Sequence, residues 1–260
     1  MLLLVMYIDV HCHPFDLNKI APLQEIKASA LASAWSIEEF LFNEKLTILN
    51  SFGIHPQLEA VINKDPLSLA VLTQAAPTTQ SLKTLEKLAA EKRLAAVGEC
   101  GFDLFNDEYK ATEAWQNEVF AAQLEIALKY DLLIVLHVRR AMHKIFAFAK
   151  KLKQCRAVIF HSWQGTPEEG QSLIRRGVNV YFSFGNTILN GHKQQLHCCA
   201  LFPADRLLTE TDAPYQPSRG KEFSSWDDLP GIVEKIASLR NMNSKELENQ
   251  LEENFISLHF

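Results

Sequence analysis

Short apolar segments alternate with helical segments along most of this chain. The clearest unit begins with AVIFH at 157–161, passes through a helix, and ends with VNVYFSF at 178–184. Thr166 is suited to cap the helix, Pro167 to occupy its first position, and Gly177 to form its left-handed end. A strand, a helix and a second strand in this order predict two parallel strands.

The same alternation extends over the rest of the sequence. Hydrophobic patterning predicts strands near 5–11, 30–35, 47–54, 94–99, 131–137, 157–161, 178–184 and 206–210. Helices are predicted near 82–92, 112–130, 142–153, 187–201, 230–240 and 244–256. Eight predicted strands in 260 residues indicate an α/β protein with one (β/α)8 TIM barrel over 1–260, since such barrels need about 250 residues.

The pattern differs in strength along the chain. Its strongest helix, 112–130, carries four apolar residues on one predicted face: Trp115, Val119, Ala122 and Ile126. Its weakest region is 14–46, where the first two helices must be short and the second strand is poorly marked.

Composition narrows the functional classes. A hydrophobic content of 47% with 22% charged residues is typical of a soluble domain with a large core. A net charge of −5 argues against a protein that coats nucleic acid electrostatically, although a local basic patch stays open. Five cysteines without a CxxC pair favour reduced thiols. No segment reaches the roughly 18 apolar residues of a membrane span, so we expect a cytoplasmic protein with no obligatory protein partner.

Residues that can bind metal stand at the ends of the predicted strands. His11 and His13 are two residues apart and therefore project to the same side, with Asp9 in phase. Glu99 has glycines near it on both sides, which suggests that other backbone packs closely there. In a parallel barrel the strand ends meet at one rim, so six side chains are predicted to converge: His11, His13, Glu99, His137, His161 and Asp212.

Each of these signals is weak alone, because a single histidine or carboxylate is more often a core, surface or capping residue. Glu210 and Asp212, however, share a strand face, and two buried carboxylates are costly unless a cation compensates them. Four imidazoles and two carboxylates together match a two-metal site in which a bridging carboxylate holds cations about 3.5–4 Å apart.

These residues lie in motifs that resemble the TatD family of metal-dependent hydrolases, within the amidohydrolase superfamily of TIM barrels. The matching segments are DVHCH at 9–13, GIHP at 53–56, GECGFD at 98–103, HVR at 137–139, HSWQG at 161–165 and ETDAPY at 210–215. The sequence departs from the usual family pattern at four positions, which are Cys100, Leu104, Trp163 and Gln164.

The resemblance implies a role for each site residue. His11 and His13 would hold a first metal, His137 and His161 a second, and Glu99 would bridge the two. Asp212 would bind the first metal and take or relay a proton from water. His55 and Arg139 would face the substrate, and Glu210 would orient a ligand. The cofactors would be two divalent cations, with Mg, Mn, Zn or Co all compatible.

The activity implied by the resemblance is a deoxyribonuclease that hydrolyses phosphodiester bonds in DNA. A hydrolase of a small amide, lactone or other phosphoester stays open, as does a metal-binding barrel without turnover. Four residues after the fifth strand either contact a nucleic-acid backbone or solvate the next helix: Arg139, Arg140, His143 and Lys144. Trp163 either stacks on a base or fills the wall of the pocket.

Overall fold

The computed structural model describes residues 7–23, 26, 28–64 and 78–260. In this part of the chain, eight parallel strands form one sheet in sequential order. The strands are β1 (Tyr7–Cys12), β2 (Ala28–Ala32), β3 (Leu49–Phe52), β4 (Ala96–Asp103), β5 (Leu133–Arg139), β6 (Val158–Phe160), β7 (Val180–Phe184) and β8 (Leu207–Thr209). The helices are α1 (Pro14–Ile20), α2 (Ile37–Asn43), α3 (Leu58–Lys64), α4 (Thr78–Ala90), α5 (Asp107–Lys110), α6 (Glu113–Lys129), α7 (Met142–Leu152), α8 (Pro167–Arg175), α9 (Lys193–Leu201), α10 (Leu229–Arg240) and α11 (Ser244–Ser257).

The sheet closes into a barrel where its last strand meets its first. Thr209 Oγ1 donates a hydrogen bond to the Ile8 carbonyl at 2.6 Å. Beyond the end of β8, the Asp212 amide donates to the His11 carbonyl at 2.9 Å, and the His13 amide donates to the Ala213 carbonyl at 2.7 Å. The sequence prediction of a (β/α)8 barrel is therefore confirmed.

Each predicted strand has a counterpart among the described residues, with bounds that differ from the prediction by up to four residues. The second strand is Ala28–Ala32, earlier than the predicted 30–35, and residues 5 and 6 of the first predicted strand lie outside the described residues. The helix predicted at 187–201 begins only at Lys193, because the residues before it form turns.

Local capping signals place two helices as the sequence predicts. Thr166 accepts a hydrogen bond from the Glu169 amide, and the Glu169 side chain accepts one from the Thr166 amide. Gly177, just after α8, has a φ of 77°, which suits glycine. Asn243 and Glu246 form the same reciprocal pair at the start of α11.

The buried face of α6 is rotated from the predicted one. Val119 and Ile126 are buried, but Trp115 and Ala122 are only half-buried. Two buried glutamines share the inner face with apolar residues and bind backbone there. Gln123 accepts from the Ile54 amide at 2.7 Å and donates to the Ile54 carbonyl at 3.1 Å. An apolar periodicity cannot reveal this face, because part of its contact with the barrel is polar.

Two glycines in β4 allow β5 to approach closely. A Cβ at Gly98 would lie 2.7 Å from the Val135 carbonyl oxygen, and a Cβ at Gly101 would lie 2.2 Å from that of His137. Both glycines have positive φ, 149° and 135°. The sequence-based expectation of close backbone packing around Glu99 is thus confirmed.

The cysteines and the helices bear on the expectations of reduced thiols and of no membrane span. The five cysteines are all buried and free. Among the described residues, no helix combines the length and apolar character needed to cross a membrane.

Candidate metal centre

The structure brings the six predicted ligands together at the C-terminal rim of the barrel. His11 lies in β1, Glu99 in β4 and His137 in β5. The other three follow strands directly or within a few residues: His13, His161 and Asp212. All six are buried, each with no more than 9% of its surface exposed. Neighbouring parallel strands present their ends to one space, which is why residues far apart in sequence meet here.

The Glu99 carboxylate is the centre of the cluster. Its oxygens lie 2.7 Å from Nδ1 of His137 and 3.0 Å from Nε2 of His161. They also lie 3.3 Å from Nε2 of His11 and 3.4 Å from Nε2 of His55. One carboxylate thus faces four imidazoles from four different parts of the barrel.

A second carboxylate stands on the β1 side of the cluster. Oδ1 of Asp212 lies 3.5 Å from Nε2 of His11 and 3.5 Å from Nε2 of His13. The two Nε2 atoms face each other at 3.2 Å. Because nitrogens that point at one another and at a carboxylate are a typical donor set for a cation, the arrangement fits a divalent metal.

Among the described residues, three overlapping groups could each hold a metal, because the potential ligand atoms within each group all lie within 4.8 Å of one another. The first is His11, His13 and Glu99, which agrees with the first-metal set that the resemblance implies. The other groups distribute the remaining residues differently from that expectation. They are His11 with His161 and Asp212, and His55 with Glu99 and His137.

His55 therefore lies closer to the cluster than its expected contact with substrate requires. It follows the end of β3 by three residues, and its Nδ1 accepts a hydrogen bond from the Gln57 amide at 3.2 Å. Its Nε2 is left facing Glu99. The sequence placed His55 in the site by resemblance, but its short distance from the Glu99 carboxylate could not be predicted from its position in the chain.

Charge in the cluster is balanced between acids and imidazoles. Burial opposes ionisation of Glu99, but the surrounding histidines, His161 foremost, hold the pKa of Glu99 well below its ordinary value. Burial likewise opposes protonation of His161, yet Glu99 and Glu210 raise the pKa of His161 well above the usual range. Protons and metal cations thus compete for the same nitrogens, because only a neutral imidazole coordinates metal.

Asp103 is a functional candidate that the sequence argument did not single out. Its fully buried carboxylate lies 3.0 Å from Nε2 of His137, and it accepts from Gln57 Nε2 at 2.7 Å. The Arg139 guanidinium lies 3.5 Å away. Burial alone would raise the pKa of Asp103, but the bond with His137 lowers it to about 2. Its place four residues after Glu99 on the same strand was a usable signal, since even spacing keeps residues on one face.

Asp212 is held from outside by two residues that the sequence argument also missed. Gln216 Nε2 donates to Oδ2 of Asp212 at 2.5 Å, and Ser162 Oγ donates to Oε1 of Gln216 at 3.0 Å. All three residues have φ between 44° and 52°, in the left-handed region. This contact ties the loop after β8 to the loop after β6, which carries His161.

Two buried acids support the ligands from behind. Asp9 accepts from the Thr211 amide at 3.0 Å and from Thr211 Oγ1 at 2.7 Å, which joins β1 to the segment before Asp212. Oε1 of Glu210 lies 3.5 Å from Nδ1 of His161. The position of Glu210 is consistent with its expected role of orienting His161.

The cluster forms one wall of a cavity of about 830 Å³ that opens at the rim. His55 and Arg139, the residues expected to meet the substrate, both line it, as do Trp35 and Tyr215. Its size is within the range of small-molecule sites.

Trp163 does not line this cavity. Its side chain is 1% exposed and packs against the rings of Phe160, Phe182 and Phe202. Its indole nitrogen donates to Cys198 Sγ at 3.3 Å. Both alternatives for Trp163 are therefore wrong: the buried ring neither stacks on a base nor fills the wall of the pocket, and it belongs to the hydrophobic core behind the site.

The sequence of this chain is similar to a known protein family and to individual known proteins. A family model described as TatD-related DNase matches residues 8–259. A TatD protein of Pantoea vagans, named as a 3'-5' ssDNA/RNA exonuclease, is 31% identical over 184 residues, which cover 68% of this chain and 70% of the relative. An uncharacterized metal-dependent hydrolase of Mycoplasma pneumoniae is 28% identical over 95% of this chain and 97% of its own length.

Solved structures show the same fold. The crystal structure of YJJV, a TatD homologue from Escherichia coli K12, superposes with a TM-score of 0.80 at 24% identity and covers 97% of both chains. An uncharacterized amidohydrolase from Saccharomyces cerevisiae superposes with a TM-score of 0.72 at 15% identity, over 97% of this chain and 99% of the other. The family match spans nearly the whole chain, including every segment that carries the site. The chain therefore belongs to the TatD-related DNase family and is a metal-dependent hydrolase.

Proposed function

We propose that this protein is a two-metal phosphodiesterase that cleaves single-stranded nucleic acid, and that Glu99 bridges the two cations. The observation that carries the proposal is the position of the Glu99 carboxylate within 3.4 Å of four imidazole nitrogens. One carboxylate has two oxygens and can bind two cations at once, so a carboxylate surrounded by four imidazoles suits a pair of metals. The naming of the Pantoea relative as an ssDNA/RNA exonuclease supports the substrate class.

Under this proposal His11 and His13 hold one cation and His137 and His161 the other. Bound divalent cations would supply an activated water near neutral pH and would polarise the phosphate under attack. The Asp212 carboxylate would serve as the proton acceptor for the attacking water, since its Oδ1 faces the cluster and Gln216 holds its Oδ2.

Recognition of phosphate falls to Arg139 and His55. Arg139 lines the cavity with 29% of its side chain exposed, and its contact with Asp103 at 3.5 Å leaves other guanidinium donors available. A guanidinium with free donors is well suited to a phosphate oxygen, because it can donate two parallel charged hydrogen bonds. This arginine favours a phosphoester over an amide or a lactone, neither of which carries a charge for it to bind.

The test is a substrate panel with purified protein. Single-stranded DNA, single-stranded RNA, a phosphotriester, an amide and a lactone are each incubated with Mg, Mn, Zn or Co. We expect metal-dependent cleavage of the nucleic acids, loss of at least 100-fold of that activity in Asp212→Asn, and a larger effect of Arg139→Ala on phosphate substrates than on any others. Hydrolysis of only the amide or lactone, or no turnover by fully loaded protein, would contradict the proposal.

A further inference from the structure

The four cationic residues after β5 differ in what they contact. Lys144 forms an ion pair with Glu113, at the start of α6, so it stabilises the packing of α6 and α7. His143 is exposed on α7. Arg139 and Arg140, in contrast, both lie over the ring of Phe105. The sequence grouped these four residues, whereas the structure separates the two arginines from the rest.

Phe105, Arg139 and Arg140 together form a small surface that we call the arginine shelf. The guanidinium carbons of Arg139 and Arg140 lie 4.1 and 4.6 Å from the centre of the Phe105 ring. Phe105 is 42% exposed, so the two guanidinium groups contact an aromatic ring that is open to solvent. The shelf thus holds two positive charges on one aromatic ring, and one of them, Arg139, also lines the cavity.

The shelf is fixed in place rather than loosely solvated. The Phe105 amide donates to Oδ1 of Asp103 at 2.9 Å, and Arg140 donates from a guanidinium nitrogen to the Phe105 carbonyl at 3.2 Å. Arg140 has a φ of 53°, a left-handed conformation that costs about 1–2 kcal/mol for a residue with a side chain. The hydrogen bond to the Phe105 carbonyl and the contact with the Phe105 ring hold the Arg140 side chain in one position.

Arg140 lacks the carboxylate counter-ion that some other surface arginines have. Arg93 pairs with Glu44 and Arg156 with Asp131. Within the described part of the chain, Arg140 has no carboxylate at ion-pair distance. In a protein of net charge −5, an arginine without a counter-ion, on the same ring as a cavity-lining arginine, provides a local positive site for an anion.

We propose that Arg140 binds the second phosphate of a nucleic-acid strand, the one next to the phosphodiester that Arg139 presents to the metal centre. The inference rests on the proposed function and names its substrate more closely, as a strand with at least two phosphates. Arg139 lines the cavity, and Arg140, which does not line it, contacts the same ring, so the shelf joins a cation inside the cavity to a cation outside it. A phosphate backbone leaving the cavity follows such a path, since cationic side chains set the course of single strands on proteins.

The test compares a substrate that has one phosphate with one that has many. Bis(p-nitrophenyl) phosphate is a phosphodiester without a neighbouring phosphate, and a 12-nucleotide single-stranded DNA provides a continuous backbone. The variant is Arg140→Asn, because asparagine accepts the left-handed conformation readily. Arg176→Asn is the matched control, since Arg176 is also exposed and also lies over a phenylalanine ring, Phe146, at 5.4 Å.

We expect Arg140→Asn to raise KM for the oligonucleotide about 5- to 20-fold, and at least fivefold more than it raises KM for the small diester. The slope of log KM against log salt concentration should also fall by about 0.7, the contribution of one phosphate contact on a single strand. Arg176→Asn should change neither quantity. Equal effects on both substrates, or an unchanged salt slope, would overturn the proposal.

Oligonucleotide binding measured by fluorescence anisotropy separates this inference from the proposed function. Weaker binding by Arg140→Asn in a protein that cleaves nothing would contradict the proposed function and support the shelf. Normal cleavage with no effect of Arg140→Asn on cleavage or binding would overturn the shelf alone.

Discussion

Asp103 Oδ2 lies 3.0 Å from Nε2 of His137, while Nδ1 of the same ring lies 2.7 Å from Glu99. The imidazole is therefore held between two carboxylates, one inside the cluster and one behind it. A carboxylate behind a metal-binding histidine fixes the orientation and tautomer of its ring and raises its basicity. The same carboxylate contacts Arg139, so it links a proposed metal ligand to the proposed phosphate site.

Replacing Asp103 tests this link. We expect Asp103→Asn to weaken metal binding 10- to 100-fold, because the amide no longer orients and polarises His137 as a carboxylate does. Metal affinity is measured by competition with a coloured chelator, which requires no turnover. Asp107→Asn, at an exposed position a few residues later, is the control and should bind metal as the wild type does. Equal metal affinity in Asp103→Asn and wild type would contradict the role given to Asp103.

Close contact between β4 and β5 is expected to limit substitution at Gly101. A Cβ there would lie 2.2 Å from the His137 carbonyl oxygen, so the strands must separate to admit Gly101→Ala. We expect a loss of at least 3 kcal/mol in the free energy of unfolding, measured by urea denaturation, from the combined clash and strained φ. Gly191→Ala is the matched control, since Gly191 also has a positive φ but nothing within 4 Å, and it should cost only about 1 kcal/mol. Similar losses of unfolding free energy in both variants would show that β4 and β5 accommodate the added methyl group at little cost.

Trp163 is expected to matter for stability and not for substrate binding. Trp163→Phe removes part of a buried ring and the hydrogen bond to Cys198, which should lower the free energy of unfolding by about 1–3 kcal/mol. KM for single-stranded DNA should stay within twofold of the wild-type value. Loss of a base-stacking contact would instead weaken binding by about 1–3 kcal/mol. A rise in KM for single-stranded DNA that corresponds to this loss of binding free energy would contradict the assignment of Trp163 to the core.

The buried Glu39 is expected to make stability depend on pH. Burial raises the pKa of Glu39 from 4.5 to about 7, although its carboxylate accepts hydrogen bonds from the amides of Trp35 and Ser36. Because the folded-state pKa is the higher one, this contribution to stability is fully present below pH 4.5 and is lost as pH rises through about 7. The loss amounts to roughly 3 kcal/mol at most, at 1.36 kcal/mol for each unit of pKa difference.

Urea denaturation at pH 5 and pH 8 measures this effect. Glu39→Gln keeps an oxygen acceptor for the two amides but cannot ionise, so the fall in unfolding free energy between these pH values should shrink. Glu38→Gln, at the exposed neighbouring position, should leave the fall unchanged. An identical fall in Glu39→Gln and the wild type would show that Glu39 is not its source.

The sequence was sufficient to predict the barrel and the convergence of the ligands, because strand order and chain order coincide. Once β4, β5 and β6 are neighbours, Glu99, His137 and His161 must meet at their ends. Capping at Thr166 and Asn243 was also predictable, since it depends on residues only three positions apart. These are the features that local pattern and parallel topology determine.

Other features depend on contacts that no local pattern encodes. Gln216 reaches Asp212 through a turn whose path is not evident from periodicity, and Ser162 meets Gln216 across 54 positions of the chain. Trp163 lies in the core because three phenylalanine rings pack against its indole, which its own sequence neighbourhood does not reveal. The pairing of Lys144 with Glu113 and the contact of Arg140 with the Phe105 ring likewise became visible only in the packed structure.

Metal content per chain is the most direct test of the central claim, that Glu99 bridges two cations. The protein is loaded with Mn or Zn at pH 7.5, freed of excess metal, and analysed by inductively coupled plasma mass spectrometry. A Glu99→Gln variant, shown by circular dichroism to be folded, is analysed in the same way. We predict two metals per chain in the wild type and at most one in Glu99→Gln, since an amide is a poor bridge between cations. A folded wild type that retains no more than one metal, or a Glu99→Gln variant that retains two, would contradict the account.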